Sequence, residues 1–224
     1  MDKTFLVIIP AYNAGLTISE LIEKISEFID ASDIVVIDDG SKDETFAIAQ
    51  KAGAVVLKHE RNKGKGEALK TGFKYALEKN YDALLSIDAD LQHDPFSIAD
   101  FLKKTSENFN GIIIGTRDIH LKKMPLARWL SNNLTSMILS ILSGQTIRDS
   151  QSGYRLISTQ VLKKVKLKAK KYDLESEILV KAGRKGFKIE KIPIETIYPG
   201  GKSFINPFVD TARFIKLMWR TLWW

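Results

Sequence analysis

The sequence predicts an α/β fold: a mostly parallel sheet covered by helices on both faces. Three observations predict it. Apolar strand-like runs alternate with helix-period segments through the first half of the 224 residues. One of those runs, Ala83 to Ile87, is apolar but for a single Ser, as a fully buried strand is. Polar clusters follow three of the strands at once, and ligands of open parallel sheets bind at such carboxyl ends.

Taken in order, Phe5 to Ile9 is the first strand and ends in Pro10-Ala11-Tyr12-Asn13. A helix follows from about Thr17, with Ile18, Leu21, Ile22, Ile25 and Phe28 at helical spacing. Asp33 to Ile37 is the second strand, ending in Asp38-Asp39-Gly40-Ser41, and Asp43 to Ala52 is the next helix. Ala54 to Leu57 is a third strand, and Lys65 to Glu78 a helix whose inward face is Ala68, Leu69, Gly72, Phe73, Ala76 and Leu77. The fourth strand runs into Asp88-Ala89-Asp90-Leu91-Gln92, and Asp94-Pro95 opens a helix. Gly111 to Gly115 is the fifth strand. Leu126 to Leu142 reads as a helix with Leu130, Leu134, Met137, Ile138 and Ile141 on one face. Leu174 to Lys185 is another, and Lys188 to Ile192 and Ile194 to Ile197 read as two short strands split by Pro193. Residues 1–204 form a single domain, with a first half over 1–115 and a second over 116–204, and 205–224 form an appended amphipathic helix.

Composition narrows the function. There is no cysteine, which excludes disulfides and thiolate metal sites. No window of about 18 residues is apolar and uncharged throughout, so no membrane-spanning helix is expected. The chain enters its first strand without a basic-plus-apolar leader, so a cleaved secretion signal is not expected. The net charge of +7 favours an anionic partner: nucleotide, lipid phosphate, nucleic acid or membrane surface.

Two carboxylates at the end of a buried strand are costly unless a cation neutralises them. Asp88, Asp90 and Gln92 offer oxygen ligands only, which suits Mg2+ or Mn2+ completed by substrate phosphates. Either Asp38 or Asp39 can accept hydrogen bonds from a base edge or a ribose, or the turn simply caps the next helix. Lys65 is placed to reach a diphosphate or to sit in solvent at a helix start, and His93 flanks the acidic turn.

The motifs Pro10-Ala11-Tyr12-Asn13, Val36-Ile37-Asp38-Asp39-Gly40-Ser41, Asn62-Lys63-Gly64-Lys65-Gly66, Asp88-Ala89-Asp90-Leu91-Gln92-His93-Asp94-Pro95, Gly115-Thr116-Arg117 and Asp149-Ser150-Gln151-Ser152-Gly153-Tyr154-Arg155 occur in one order. In this the chain resembles the family 2 glycosyltransferases of the GT-A fold, close to the polyprenol-phosphate (dolichol-phosphate) mannose and glucose synthases. The resemblance implies a Rossmann-like, mostly parallel mixed sheet and a nucleotide-sugar donor, GDP-mannose first and UDP-glucose second. It implies that Pro10, Tyr12, Asn13, Asp38 and Asp39 line the nucleoside pocket, that Lys65 and Asp88 face the diphosphate, and that Asp88, Asp90 and Gln92 hold the metal. It implies inverting transfer in one displacement, with Asp88, Asp90 and Arg117 as the catalytic set. The acceptor it implies is a polyprenyl phosphate or a glycolipid, with Arg117 and Arg128 on its phosphate and Ser152, Arg155 and Lys202 shaping that side. Arg155 is expected to pair with a carboxylate such as Asp149.

Two stretches depart from the family pattern. Ala14-Gly15 stands where many relatives carry an acidic residue, and Gly200-Gly201-Lys202-Ser203-Phe204 replaces the usual acceptor-loop sequence. A phosphate acceptor arrives ionised and needs cations, whereas a hydroxyl acceptor needs a base, for which Asp149, Glu175 and Glu177 are the candidates. Each Glu otherwise reads as part of a solvated helix face. In the tail, Arg213, Lys216 and Arg220 fall on one helical face, and Phe208, Ala212, Ile215, Trp219 and Leu222 on another. That suits either an anionic membrane surface or docking on protein. The expected location is cytoplasmic, peripheral to the inner face of the cell membrane. A receiver-type signalling module would leave Asp90 and Gln92 unexplained, and no helix-turn-helix pattern points to nucleic acid.

Overall fold

Alternate residues of the central strands enter opposite layers, which is why those strands are continuous apolar runs. In this computed structural model residues 4–105, 109–117, 126–169 and 173–195 are described, Leu126, Ala127 and Arg128 as helix backbone alone. Lys202 and the whole of 205–224 therefore lie outside the described residues.

The described strands are β1 (Phe5–Ala11), β2 (Ile34–Asp38), β3 (Val55–Lys58), β4 (Ala83–Ser86), β5 (Gly111–Arg117), β6 (Arg155–Ser158) and β7 (Lys188–Ile194). They form one sheet in the order β3-β2-β1-β4-β6-β5-β7. Only β6 runs against its neighbours, and the other pairs are parallel. The helices are α1 (Ile18–Ser26), α2 (Thr45–Lys51), α3 (Lys65–Glu78), α4 (Ile98–Thr105), α5 (Leu126–Ser143), α6 (Thr159–Lys164) and α7 (Asp173–Arg184). Leu6, Ile8, Val35, Ile37 and Leu84 pack with Leu69 of α3, Val161 of α6 and Ile178 of α7. Val7, Ile9, Ile34, Val36 and Leu85 pack with Leu21 and Ile25 of α1, Ala49 of α2 and Phe101 of α4.

This topology puts the site at one rim. β2 and β3 lie to one side of β1 and β4 to the other, so the chain order reverses beside β1, where crevices open in such sheets. Because β6 is reversed, its amino end meets the rim where β1, β2, β4 and β5 finish. Residues 149–155 are thereby brought beside Asp88 and Arg117.

The structure corrects one expectation and adds detail to two others. β6 and α6 are elements that hydrophobic periodicity does not assign. Pro193 does not split the last strand: β7 is one strand, at the sheet's edge among the described residues, with Pro193 in register opposite Thr116 of β5. In α5 the stripe Leu130, Leu134, Met137 and Ile141 is present but points outward.

Candidate active site

On the β1–β2 side the rim loops brace one another. Asn13, at φ +52°, donates its N–H to Ser41 Oγ (2.9 Å), and its side-chain oxygen accepts from Lys42 N (2.9 Å). The N–H groups of Ala14 and Gly15 are taken by Thr45 Oγ1 and Asp43 Oδ2, which commits the backbone of the departure from the family pattern. Thr17 Oγ1 donates to Ala89 O at 2.6 Å, tying α1 to the acidic turn. Tyr12 is 46% exposed beside these loops, and Pro10 is half-buried.

The neighbouring aspartates divide their work. Asp39 accepts from Lys63 N (3.0 Å), Gly64 N (2.7 Å) and His59 Nδ1 (2.6 Å), so it holds the loop that leads into α3. Asp38 Oδ1 accepts from Ser41 N, while its buried Oδ2 has no hydrogen-bond partner. Asp38 is thus the member with an oxygen left for a ligand. Gly40 makes the turn possible: its φ is +73°, and a Cβ there would lie 2.5 Å from the Arg61 carbonyl carbon.

Asp88 stands at the centre of the rim. Lys65, the first residue of α3, places Nζ 2.6 Å from Asp88 Oδ1 and 3.4 Å from Glu175 Oε1. Burial alone would lower the Lys65 pKa, but the charges of Asp88 and Glu175 outweigh it and raise the ammonium. Burial likewise pushes Asp88 up, and Lys65 and His93 more than reverse that, leaving the carboxyl below its ordinary range. Lys65 is therefore no solvated helix start. Gly153 leaves the space for this pair, since a Cβ there would meet Asp88 Oδ2 at 2.5 Å and Lys65 Nζ at 2.8 Å. Asp90 is exposed and accepts from Gln92 N at 3.0 Å across Leu91, which adopts φ +57° to turn the chain. His93 is buried beneath this turn, its Nδ1 without a partner, its ring 5.4 Å from that of Tyr154. Burial lowers its pKa, against the opposing pull of Asp88 and Asp90.

The rim beyond Asp88 is held by two buried arginines. Arg117 forks onto Asp149, Nε to Oδ2 at 2.8 Å and Nη2 to Oδ1 at 2.6 Å, and its N–H also donates to Oδ2. Asn132 of α5 donates to the same carboxylate at 2.9 Å. Burial would raise Asp149, but the bonds and charge of Arg117 hold it below the carboxylate range. The expected Arg155–Asp149 pairing is therefore corrected, because Arg117 occupies that carboxylate. Arg155 instead donates to three main-chain carbonyls, Ser152 O, Glu175 O and Ser150 O, at 2.8, 2.6 and 2.6 Å. It binds the loop before β6 to the first turn of α7. Ser152 is buried within that loop, and its N–H donates to Asp149 O. The solvated reading of the two glutamates is also overturned. Glu177 is fully buried and accepts from Lys168 N, Ala169 N and Lys181 Nζ, while Glu175 turns toward Lys65. Arg128 lies in the first turn of α5, its side chain outside the described residues.

The rim thus brings together Asp38, Lys65, Asp88, Gly153 and Glu175, with Arg117 on Asp149 beside them. Sequence motifs pointed to most of these, but not to Gly153 as a cradle or to the Lys65–Glu175 contact. Among the described residues no three His, Asp or Glu side chains form a ready-made metal cage. The turn offers two carboxylates and a carboxamide, all oxygen donors. That set fits a hard ion that takes one or two carboxylates and completes its shell with phosphates.

Comparison with known proteins gives the family. A family model described as Glycosyl transferase family 2 matches residues 6–166. The UDP-N-acetylglucosamine–dolichyl-phosphate N-acetylglucosaminyltransferase of Methanococcus voltae is 34% identical over 219 residues, covering 88% of this chain and 87% of that protein. The undecaprenyl-phosphate mannosyltransferase of Micrococcus luteus is 29% identical over 202 residues, covering 84% and 82%. Among solved structures, glucosyl-3-phosphoglycerate synthase of Mycobacterium tuberculosis, in complex with Mn2+, UDP and glucosyl-3-phosphoglycerate, superposes with a TM-score of 0.76. It is 21% identical and covers 98% of this chain and 80% of that one, a likeness of fold.

Proposed function

This chain belongs to glycosyl transferase family 2, and from that premise we propose that it transfers a hexose from a nucleotide sugar, GDP-mannose or a UDP-sugar, to a polyprenyl phosphate. That it is a glycosyltransferase follows from the family; donor, acceptor, metal and location are our reading. The observation that carries the reading is that the three candidate bases are all committed elsewhere. Asp149 is locked by Arg117 and Asn132, Glu177 is saturated, and Glu175 faces an ammonium. An acceptor that arrives as an anion needs none of them as a base.

In this reading the base edge of the nucleoside donates to Asp38 Oδ2, near Pro10, Tyr12 and Asn13. Asp88, Asp90 and Gln92 would hold Mg2+ or Mn2+, which supplies positive charge to the diphosphate as it leaves. Lys65 fixes the Asp88 carboxylate and adds a cation next to that diphosphate. The acceptor phosphate oxygen attacks the anomeric carbon on the side opposite the diphosphate. The carbon–oxygen bond to the diphosphate breaks, and the configuration inverts. Arg117, aligned by Asp149, and Arg128 and Lys202 draw the second anion toward the first. We place the reaction at the cytoplasmic face of the cell membrane. Among the described residues no helix is long and apolar enough to cross a membrane. The halves 1–115 and 116–204 then divide donor and acceptor duties, with 205–224 as a docking or membrane helix.

The test is nucleoside-diphosphate release from GDP-mannose, UDP-glucose and UDP-N-acetylglucosamine, with Mn2+, with and without short polyprenyl phosphates. Acceptor-dependent release with one donor is the expected result. Glu175→Gln should slow turnover less than about tenfold by loosening Lys65; a loss of 10³-fold or more would instead mark Glu175 as the base of a hydroxyl acceptor.

A further inference from the structure

The loop between β3 and α3 is not held by apolar burial, since Glu60, Arg61, Asn62 and Lys63 are exposed. Polar bonds hold it from within. Asp39 accepts the N–H groups of Lys63 (3.0 Å) and Gly64 (2.7 Å), and Gly64, at φ +95°, turns the chain into α3. The next residue is Lys65, whose Nζ meets Asp88 Oδ1 at 2.6 Å. The place of that ammonium therefore depends on where Asp39 and the start of α3 sit relative to each other.

One buried side chain spans the two. His59 follows β3 directly, and its N–H donates to Asp38 O at 2.9 Å. A carboxylate only accepts, so Nδ1 carries a proton and donates to Asp39 Oδ1 at 2.6 Å. At the other end of the ring, Nε2 lies 2.9 Å from Thr71 Oγ1 on the second turn of α3, and that hydroxyl lies 3.1 Å from Glu67 O. Satisfying a buried imidazole against a carboxylate takes one nitrogen. Here both are used, each toward a different element, and a planar ring fixes the span between them as a flexible side chain does not.

We propose that His59 is a positioning residue that sets Lys65 against Asp88, by pinning the start of α3 to the turn after β2. This rests on the reading that Lys65 stands beside the donor diphosphate. The same pin joins the two ends of that donor. Asp38 at the base and Lys65 at the diphosphate are held as one unit.

Two variants cut the same end of the pin. His59→Asn keeps a donor near the Nδ1 position but cannot reach Thr71, and Thr71→Val removes the hydroxyl while keeping the shape. Each should lower kcat/KM for acceptor-dependent diphosphate release about tenfold, less than the roughly 10²-fold of a full 1 Å misplacement. The melting temperature should fall by no more than about 4 °C. Thr71→Ser, which keeps a hydroxyl, should recover most of the loss. In a Lys65→Ala protein His59→Asn should cost less than about twofold, because the group it positions is gone. Losses that multiply in that double variant overturn the proposal, since His59 would then act on the fold and not through Lys65. Full kcat/KM in a folded His59→Asn protein overturns it as well. Amide exchange read by NMR separates the pin from the donor reading. Lys63 and Gly64 should exchange about tenfold faster in His59→Asn, whether or not any donor turns over. That acceleration in a protein whose wild type releases no diphosphate from any nucleotide sugar would refute the donor reading and leave the pin standing, whereas unaccelerated exchange refutes the pin.

Discussion

Gly153→Ala is the sharpest probe of the rim. The added Cβ would lie 2.5 Å from Asp88 Oδ2 and 2.8 Å from Lys65 Nζ, where ordinary contact begins at 3.4 Å. The carboxylate must therefore retreat by about 0.9 Å and the ammonium by about 0.6 Å. Both are ends of flexible side chains, so the fold can yield at a cost of about 1 kcal/mol. The smaller entropy of an unfolded Ala chain returns about 0.4–1 kcal/mol, and the melting temperature should move by no more than about 4 °C. Chemistry is less tolerant. Misplacing a catalytic group by about 1 Å costs roughly 10²-fold, or about 2.7 kcal/mol of barrier. We expect kcat/KM for acceptor-dependent diphosphate release to fall about 100-fold in a folded protein. Gly40→Ala is the contrasting control: at φ +73° its Cβ meets the backbone of Arg61 and Asn62 at 2.5–2.7 Å. There the fold itself should lose about 3 kcal/mol, roughly 6–12 °C in melting temperature. A folded Gly153→Ala protein with full kcat/KM would show that the placement of the Asp88 carboxylate does not matter to the reaction.

Three further outcomes follow from the same geometry. Asp38→Asn keeps the oxygen that caps Ser41 but turns the unpartnered Oδ2 into a donor, so donor KM should rise about 10–100-fold with thermal stability unchanged. Asp149→Asn should cost about 3 kcal/mol in urea unfolding at pH 7, because Arg117 loses its buried counter-charge. The Asp149 pKa is depressed in the fold, so its stabilisation is complete above the unfolded value of about 3.9 and is lost as pH falls through the folded value. Wild type should weaken along that acid limb more steeply than the Asn variant, measured by urea midpoints from pH 5 downward. Asp90→Ala should abolish turnover and Mn2+ binding by calorimetry while melting like wild type, since Asp90 is exposed and bonds only to Gln92 N among the contacts described. Turnover persisting there, or in excess chelator, would remove the ion from the reaction.

The helices and parallel strands of the first half are legible because their apolar residues repeat with periods that burial imposes. α3 begins at Lys65 and ends at Glu78, as its spacing predicts. β6 is short, follows a loop whose residues are buried for polar reasons, and carries a buried Arg, so no apolar period announces it. Asp39 and Arg155 stand out in the sequence as charged groups within motifs, with no partner announced. Only the fold reveals that backbone N–H groups and carbonyls absorb them. The α5 stripe is legible as a stripe, but periodicity gives its spacing and not its direction. Direction is set by Leu139, which enters the core, and by Asn132 and Ser136, whose partners on the 149–150 loop lie far enough along the chain to be invisible until it folds.

The charges at the rim argue for a further cation when the donor binds. Asp149 is neutralised by Arg117, and Asp39 is held by two amides and His59. Arg155 spends its donors on carbonyls, so its charge acts on the rim only through space. Lys65 is one positive charge shared between Asp88 and Glu175. The pair it serves already outnumbers it before a diphosphate arrives. Asp90, exposed on the same turn, adds another carboxylate, with no salt bridge described for it. A nucleoside diphosphate brought to this edge would therefore meet a surplus of negative charge from the protein itself, a repulsion of several kcal/mol at separations of about 4 Å. A divalent ion held by Asp88, Asp90 and Gln92 would reverse the sign of that term, whereas another monovalent side chain would only cancel part of it. This is the physical reason to expect donor affinity to collapse with chelator, and to expect the loss to be larger than that caused by removing Lys65.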